Sequence, residues 1–243
     1  MTTAPPSDDR DLIPRPEDPL PAGEAKTRSV RAMFDVIAPR YDAVNRIMTF
    51  RMDVGWRRRT IGALGLPPGA TVVDLACGTG DLARELSSRG LVAIGADLSF
   101  GMLAAAPVPF PRVQTDGSAM PFPDGSVDGL TCGFALRNFT DLAATLAETA
   151  RIVRPGGRIA LLEVAEPPNP VMRFGHGLYF GKVVPRIGAA LSDGDAYRYL
   201  PRSVAYLPEP AELVAMVADS GFDHVRRTLL TGGIAQLITA TRV

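Results

Sequence analysis

The segment Val72–Asp81 combines a carboxylate with two glycines in the pattern of a nucleotide-binding turn. Asp74 ends a β-branched run that predicts a strand, Gly78 and Gly80 predict a tight turn, and Asp81 begins a helical pattern. A strand, a glycine turn and a helix N-terminus form the crevice in which open α/β sheets bind nucleotide-like ligands. Because Asp74 would repel a pyrophosphate but attract an ammonium group, the pattern favours S-adenosylmethionine (SAM), which carries ammonium and sulfonium groups.

The glycine turn by itself leaves a second cofactor open. The segment Gly78-Thr79-Gly80-Asp81-Leu82-Ala83 also satisfies the dinucleotide-binding pattern G-x-G-x-x-A. Asp97 ends the next predicted strand, where it would bind ribose hydroxyls of either cofactor, or cap the helix that begins near Ser99. Asp74 and the lack of a second region long enough for a dehydrogenase substrate domain favour SAM over a nicotinamide.

Polar and glycine residues after the third and fourth predicted strands complete the candidate site. Asp116 and Gly117 would lie beside an adenine ring, or form a simple turn. Gly133 would let the backbone pass close to a ligand, or occupy a bulge. Arg137 and Asn138 follow a strand carboxyl end, where reactive groups collect, so they are candidates for orienting substrate oxygens. The alternative is an ion pair for Arg137 and a turn for Asn138.

Alternating strand and helix patterns predict the scaffold that positions these residues. The predicted strands are Thr71–Leu75, Leu91–Ala96, Arg112–Thr115, Val127–Cys132, Arg158–Val164, His224–Leu230 and Ile234–Thr241. We therefore predict an α/β fold with a doubly wound, mostly parallel, seven-stranded sheet. A terminal antiparallel hairpin, expected for class I SAM-dependent methyltransferases and not for dehydrogenases, closes the sheet, and additional helices precede it.

The domain organisation follows from composition. Residues 1–27 are rich in proline and acidic side chains and predict a disordered tail. Residues 28–243 predict one domain, in which 28–66 form a helical N-terminal cap and 168–200 form a helical insertion that covers the substrate.

Bulk composition excludes several other classes of protein. The 26 basic and 26 acidic residues give no net charge that would attract nucleic acid. Cys77 and Cys132 are too few for a disulfide framework and fit small buried positions in a reducing, cytoplasmic protein. No apolar run is long enough for a membrane span, and no secretory signal is evident at the N-terminus. His176 and His224 lack metal-ligand spacing, so we expect no metal.

Several longer segments match a known family. They are Met33–Asn45, Trp56–Arg58, Asp74–Asp81, Met120–Asp124, Leu136–Asn138, Arg154–Arg158, Val184–Gly188, Tyr197–Leu200 and Leu230–Gly233. The chain resembles the menaquinone and ubiquinone C-methyltransferases from about Val30 to Gly233. The glycine motif is common to many methyltransferases, whereas Tyr-Asp-x-x-Asn, Leu-Arg-Asn and Tyr-Arg-Tyr-Leu are more specific.

The resemblance implies a cofactor, a substrate and a cellular setting. By it, SAM contacts fall on Thr79, Asp97, Asp116, Gly117 and Gly133. It implies C-methylation of a prenylated quinol, with demethylmenaquinol as the first candidate, contact with the inner face of a membrane, and a homodimer as one option. Ala135, Arg51 and Asp53 depart from the usual Gly, Gly and His, so the substrate side matches less well than the cofactor side.

Reaction chemistry suggests roles for three side chains. A quinone ring carbon is electrophilic, so we expect the reduced quinol to attack the methyl group after a hydroxyl loses its proton. Arg137 is the candidate for holding the resulting oxyanion, and Tyr41 and Asn138 are candidates for positioning. Two other functions stay open: methylation of another aromatic or polyketide-like molecule, and a non-catalytic SAM-binding role in a quinone-biosynthesis complex.

Two surface features point towards lipid. The predicted helix Pro170–Ile187 carries an apolar stripe, which is typical of a core face or of a cover for a polyprenyl tail. Arg57, Arg58 and Arg59 would meet anionic lipid or form a solvated helix face.

Overall fold

The computed structural model describes residues 12–14, 18–184, 186 and 202–243. The Tyr197–Leu200 segment, residues 187–200 of the predicted insertion and most of the predicted tail lie outside the described residues.

A seven-stranded sheet positions the candidate site. Its strands are β1 (Thr71–Leu75), β2 (Val92–Asp97), β3 (Arg112–Gln114), β4 (Val127–Gly133), β5 (Val153–Val164), β6 (Phe222–Leu230) and β7 (Ala235–Arg242). Their order is β3-β2-β1-β4-β5-β7-β6. The first five strands are parallel, and β7 is antiparallel to both β5 and β6. The predicted fold class, including the terminal hairpin, is therefore confirmed.

Helices precede and flank the sheet. They are α1 (Gly23–Ile37), α2 (Tyr41–Met48), α3 (Met52–Leu64), α4 (Asp81–Ser88), α5 (Phe100–Ala104), α6 (Leu142–Ile152), α7 (Pro170–Leu178) and α8 (Pro210–Asp219). Pro39 lies in the 3₁₀ turn Ala38–Arg40, which separates α1 from α2 as predicted. Helix α1 begins at Gly23, five residues before the predicted start of the domain at residue 28. Lys26 explains the difference, because its buried ammonium group donates to the carbonyl of Phe139 (2.7 Å).

Neighbouring residues of the central strands contribute to cores on opposite faces of the sheet. Val72 packs in a cluster with α3 and α4, whereas Val73 packs in a cluster with α6 and α8. Trp56 of α3 belongs to the first of these clusters, so α3 is part of the layer that covers the sheet. A third cluster, which contains Met33 and Met102, joins α1 and α2 to α5.

Strand β5 begins earlier than the sequence pattern predicts. The predicted start is Arg158, but Val153 already pairs with Val127 of β4. The next pair is Arg158 with Gly129, so the chain between them bulges away from its neighbour, and Gly156 adopts a φ of 76° there. The predicted glycine turn is therefore a bulge within a strand.

Helix α7 lies on the surface, and the helical conformation continues beyond it to Val184, while Ile187, the predicted end, lies outside the described residues. Its regular part ends at Leu178 and continues as a π-helical turn, Tyr179–Val183. None of its residues is buried. Within the described ranges, no helix has both the length and the apolar character needed to cross a bilayer.

Candidate cofactor and substrate site

A cavity of about 280 Å³ lies at the carboxyl ends of the central strands, with α1 and α2 forming part of its wall. It is the position where open α/β sheets bind ligands, since the strand order reverses between β1 and β4. Nine predicted site residues line it: Tyr41, Asp74, Gly78, Thr79, Asp97, Asp116, Gly117, Gly133 and Asn138. Gly80 and Arg137 are not among its described lining residues.

Asp74 lies at the floor of this cavity and is 1% exposed. One carboxylate oxygen accepts from the amide of Ala83 (3.1 Å) at the start of α4, and the other accepts from the hydroxyl of Thr131 (2.9 Å) on β4. Burial raises the pKa of Asp74 to about 7, although both hydrogen bonds lower it. Asp74 therefore joins the start of α4 to strand β4 in addition to lining the cavity.

Asp97 occupies a similar position at the end of β2. Its oxygens accept from the amides of Gly78 (2.8 Å) and Ser99 (2.8 Å), and burial raises its pKa to about 6. The cap of α5 is Ser99, whose hydroxyl accepts from the amide of Met102 (3.0 Å), so the alternative that Asp97 caps this helix is wrong. Each carboxylate oxygen of Asp97 keeps a second lone pair, which suits a ribose diol.

Two glycines of the site lie so close to neighbouring side chains that a Cβ atom would not fit. Gly80 has a φ of 87°, and a Cβ there would lie 2.3 Å from the ring of Phe110. Gly80 therefore shapes the turn from outside the cavity. Gly133 lines the cavity, but a Cβ there would lie 2.9 Å from a methyl carbon of Leu82.

Asp116 and Gly117 follow β3 as predicted and line the cavity. One oxygen of Asp116 accepts from both the amide (2.8 Å) and the hydroxyl (2.7 Å) of Ser118. This local bond makes a tight turn, so the turn interpretation holds, and the second carboxylate oxygen has no partner among the described residues.

Two carboxylates of the N-terminal helices hold the cofactor loops. Thr79, which is 4% exposed, donates its hydroxyl to Asp42 of α2 (2.6 Å). Asp35 of α1 accepts from the hydroxyl of Ser99 (2.5 Å) and the amide of Gly101 (2.7 Å). Sequence reasoning missed both roles, because Asp35 and Asp42 contact loops that lie far from them in the chain. Their segment was recognised only through family resemblance.

Arg137 is buried in an ion pair. Its guanidinium bonds to the fully buried Glu163 and donates to the carbonyl of Phe134 (2.8 Å) and the hydroxyl of Ser203 (3.1 Å). Since Nη1 and Nε already have partners, and Arg137 is not among the described residues that line the cavity, this geometry does not support direct contact between Arg137 and a substrate oxyanion. It matches the alternative of an ion pair. Glu163 is a partner that sequence reasoning did not single out.

Asn138, the next residue, lines the cavity, unlike Arg137. The residue is 9% exposed, and neither amide atom of its side chain has a hydrogen-bond partner among the residues that the structure describes. An unpartnered buried amide is uncommon in folded proteins and is accounted for by a ligand that satisfies it. Tyr41 lines the same cavity and bonds to Asn45. Burial raises the pKa of Tyr41, so its hydroxyl is protonated and can donate.

Most of the charged residues in the cavity walls are acidic. The charged lining residues are Glu24, Asp42, Asp74, Asp81, Asp97, Asp116 and Asp141, against Arg31 and Arg57. Arg57 is in turn paired with the buried Asp53 and with Asp81 (2.9 Å). This set of carboxylates fits a cationic ligand such as SAM.

The thiol of Cys77 also lines the cavity. Burial raises the pKa of the Cys77 thiol, so it is protonated and unsuited to nucleophilic attack.

The remaining titratable groups do not suggest metal chemistry. Within the described residues no group of three or more His, Cys, Asp or Glu side chains is arranged to hold a metal ion. Cys132, like Cys77, is buried, as predicted. His176 on α7 is not among the described residues that line the cavity.

Comparison with known proteins now adds to this geometry. A profile of the ubiE/COQ5 methyltransferase family matches residues 22–242. The chain belongs to this family. It is therefore a SAM-dependent methyltransferase, and the nicotinamide oxidoreductase and non-catalytic alternatives are excluded.

Curated relatives match nearly the whole chain. Demethylmenaquinone methyltransferase of Roseiflexus castenholzii is 39% identical over 235 residues, covering 92% of this chain and 97% of that protein. The enzyme of the same name from Thermus thermophilus is 41% identical over 222 residues, covering 86% and 100%. The ubiquinone/menaquinone biosynthesis C-methyltransferase UbiE of Syntrophotalea carbinolica is 39% identical, covering 88% and 94%.

Solved structures share the fold at lower identity. A putative methyltransferase of Haloferax volcanii, in complex with the activator Trm112, has a TM-score of 0.63 at 20% identity and covers 86% of this chain and 97% of that chain. A SAM-dependent methyltransferase of Thermotoga maritima has a TM-score of 0.62 at 16% identity, with coverage of 88% and 100%.

Proposed function

We propose that this enzyme methylates a ring carbon of a prenylated quinol, converting demethylmenaquinol to menaquinol. The names of its relatives support this substrate class. The structural observation that carries the proposal is the unpartnered amide of Asn138, which is buried in the cavity beside the cofactor loops. A quinol oxygen would satisfy this amide.

The cofactor side of the cavity fits SAM. In this proposal its residues are Asp74, Gly78, Thr79, Asp97, Asp116, Gly117 and Gly133, with Gly80 supporting the turn. When bound, SAM supplies an electrophilic methyl group on a cationic sulfur. The acidic walls favour this cation, and the amides and hydroxyls already bonded to Asp97 and Asp42 keep the loops in place before binding.

On the substrate side, Asn138 and Tyr41 hold the quinol oxygen. Loss of the hydroxyl proton to solvent places negative charge on this oxygen and on the adjacent ring carbon, which then becomes the nucleophile. Once this carbon carries the methyl group, it loses its own proton to solvent and the ring becomes aromatic again. The Nδ2 group of Asn138 and the hydroxyl of Tyr41 both donate hydrogen bonds, which stabilise developing phenolate charge. Holding the ring so that its carbon reaches the methyl group at about 3–3.5 Å is the main task of these residues.

Arg137 contributes by positioning Asn138. Its backbone amide and its guanidinium both bond to Glu163, which fixes the 3₁₀ turn Leu136–Asn138 against β5. The bond to Ser203 ties the same turn to the segment that precedes α8. The positive charge of Arg137 also favours the ionised form of Tyr41, although burial outweighs it.

A lipid substrate requires access from a membrane, and α7 offers a surface for it. Val171, Phe174 and Leu178 are 79%, 77% and 46% exposed and share one face of α7 at i, i+3 and i+7 spacing. We name these three residues the α7 stripe. Lys182 and Arg186 are exposed beyond its C-terminal end and would suit anionic headgroups. We propose that the α7 stripe contacts the membrane surface while residues 28–66 cover the site.

The decisive experiment supplies the complete chain with methyl-labelled SAM and demethylmenaquinone, either reduced with dithionite or left oxidised. We expect labelled menaquinone only from the reduced acceptor, since the oxidised ring carbon is not nucleophilic. Labelling of a different aromatic or polyketide-like acceptor, with no turnover of the quinol, would assign the enzyme to that other substrate class. Equal labelling of both redox forms would refute the quinol chemistry.

A further inference from the structure

A second groove, of about 480 Å³, lies on the sheet face between α3 and the edge strand β6. None of its described lining residues is shared with the cofactor cavity. Its polar walls are formed by Arg59, Arg158, Arg226, Thr228, Thr239 and Thr241, which come from α3, β5, β6 and β7. The methyl transfer does not use this groove.

Strand register explains why these side chains converge. Arg158 pairs with Thr241 across β5 and β7, and Arg226 pairs with Thr239 across β6 and β7. Paired residues share a sheet face, and positions two apart on a strand do so as well. This face is the one that α3 covers only in part, so Arg59 reaches the groove from its side.

The groove concentrates positive charge without neutralising it. None of the nine described residues that line it is acidic. Among the described residues, Arg59, Arg158 and Arg226 have no ion-pair partner, and the Nε group of Arg158 is buried without a hydrogen-bond acceptor. One carboxylate lies next to the groove, Asp223, whose Oδ1 is 3.9 Å from His224 Nε2. The three guanidinium groups around the groove carry more positive charge than this one carboxylate can neutralise.

The three consecutive arginines of α3 differ in their partners, and one of them lines the groove. Arg57 is paired with Asp53 and Asp81, and Arg58 lies 3.9 Å from Glu85. The predicted run of three arginines is therefore not one lipid-facing patch. Arg59 alone of the three faces the groove.

We propose that this groove binds a phosphate-bearing anion. Guanidinium groups present paired N–H donors that match phosphate oxygens, and the threonine hydroxyls add neutral donors around them. The anion would also relieve the mutual repulsion of the three arginines. Its phosphate can belong to a free phosphate or pyrophosphate, or to a phospholipid headgroup, because the same donors recognise each of these.

The test is calorimetric titration of sodium pyrophosphate into the complete chain at constant ionic strength. Arg59→Gln and Arg226→Gln should each weaken binding about tenfold, as expected for the loss of one charge-assisted contact. Matched controls are Arg58→Gln, next to Arg59 on α3, and Arg227→Gln, whose side chain bonds instead to Gln236 (2.5 Å). The controls should change affinity less than about twofold.

The two sources of phosphate are separated with vesicles of phosphatidylcholine, with or without phosphatidic acid. Binding to the acidic vesicles that pyrophosphate weakens, and that Arg226→Gln but not Arg227→Gln weakens about tenfold, identifies a headgroup, whereas pyrophosphate binding without any such change in vesicle binding identifies a free anion. The proposal is overturned if pyrophosphate does not bind, or if the controls weaken binding as much as the groove variants. SAM affinity should be unchanged in all four variants, so this test is independent of the methyl-transfer proposal.

Discussion

The carboxylates of the cofactor side combine structure with ligand binding. Asp74 and Asp97 each accept two hydrogen bonds from the protein and still line the cavity. Burial nevertheless raises both pKa values, to about 7 and about 6, because the charged forms are poorly solvated. A bound cation lowers them again, which couples SAM binding to proton release.

This coupling predicts how SAM affinity depends on pH. With pKa values raised to about 7 and about 6, Asp74 and Asp97 are both largely protonated below about pH 5 and both largely ionised above about pH 8. SAM affinity should therefore increase as pH rises through this window, by about tenfold between pH 5.5 and 7.5, and level off above it. Calorimetry at both pH values, in two buffers of different ionisation enthalpy, measures the affinity and the protons released. A pH-independent affinity would contradict the prediction.

Asn138 provides a test that separates function from stability. Replacing Asn138 with Ala removes the proposed donor to the quinol oxygen, so kcat/KM for the quinol should fall about 10- to 100-fold. SAM affinity should change little. Because the amide is buried without a partner, the variant should unfold at the same temperature or higher. Turnover equal to that of the unsubstituted enzyme, or a clear loss of stability, would assign Asn138 a structural role.

At the scale of elements, the N-terminal helices are fastened to the cofactor loops by polar contacts. Asp35 accepts two hydrogen bonds at the start of α5, and Asp42 accepts one from Thr79 in the glycine turn. Apolar packing of Met33 and Met102 supports the same junction. These contacts make α1 and α2 part of the cavity wall, and a wall held by a few bonds can open without unfolding the sheet.

Replacing Asp35 with Ala should loosen this wall. Loss of two hydrogen bonds to a charged acceptor, each worth about 1.5–3 kcal/mol, should speed amide exchange in residues 23–48 and weaken SAM binding. Asp124→Ala is the matched control, because its side chain is 83% exposed and bonds only Arg151 at the surface. Hydrogen exchange with mass spectrometry measures both variants. Equal exchange in the two variants would show that Asp35 does not fasten the helix.

At the scale of the whole molecule, two binding surfaces emerge on one sheet. The carboxyl ends of β1, β2 and β4 meet at the cofactor cavity, and α7 follows β5 at the same edge. The α7 stripe is apolar and exposed, whereas most of the buried apolar residues in the described part of the chain belong to the three cores. A helix with its apolar face towards solvent is typical of an interaction surface.

Replacing Phe174 with Ser should reduce binding to vesicles of phosphatidylcholine and phosphatidylglycerol about tenfold, because burying one such side chain contributes about 1.5–3 kcal/mol. The matched control is Phe100→Ser, whose side chain is 63% exposed on α5. Both variants should unfold as the unsubstituted chain does. Vesicle sedimentation measures binding. If Phe174→Ser instead shifts a dimer to monomer in sedimentation velocity, the α7 stripe is an interface between two copies.

Sequence patterns alone predict the strands of the sheet and the site residues at the carboxyl ends of these strands. Strand and helix patterns are local, so Asp74, Asp97, Asp116 and Gly133 could be placed at strand ends from spacing alone. These strand ends meet at one edge of the sheet because the strands are parallel. The alternation of strands and helices along the chain already predicts parallel strands.

Side chains that pair across the fold became known from the packing of its helices and strands. The partner of Arg137 is Glu163, 26 residues away, and the partner of Thr79 is Asp42, 37 residues away. No local pattern specifies such pairs, because they depend on how helices and strands pack together. For this reason the sequence assigned Arg137 to the substrate, while packing placed it in a buried ion pair and left the amide of Asn138 facing the cavity.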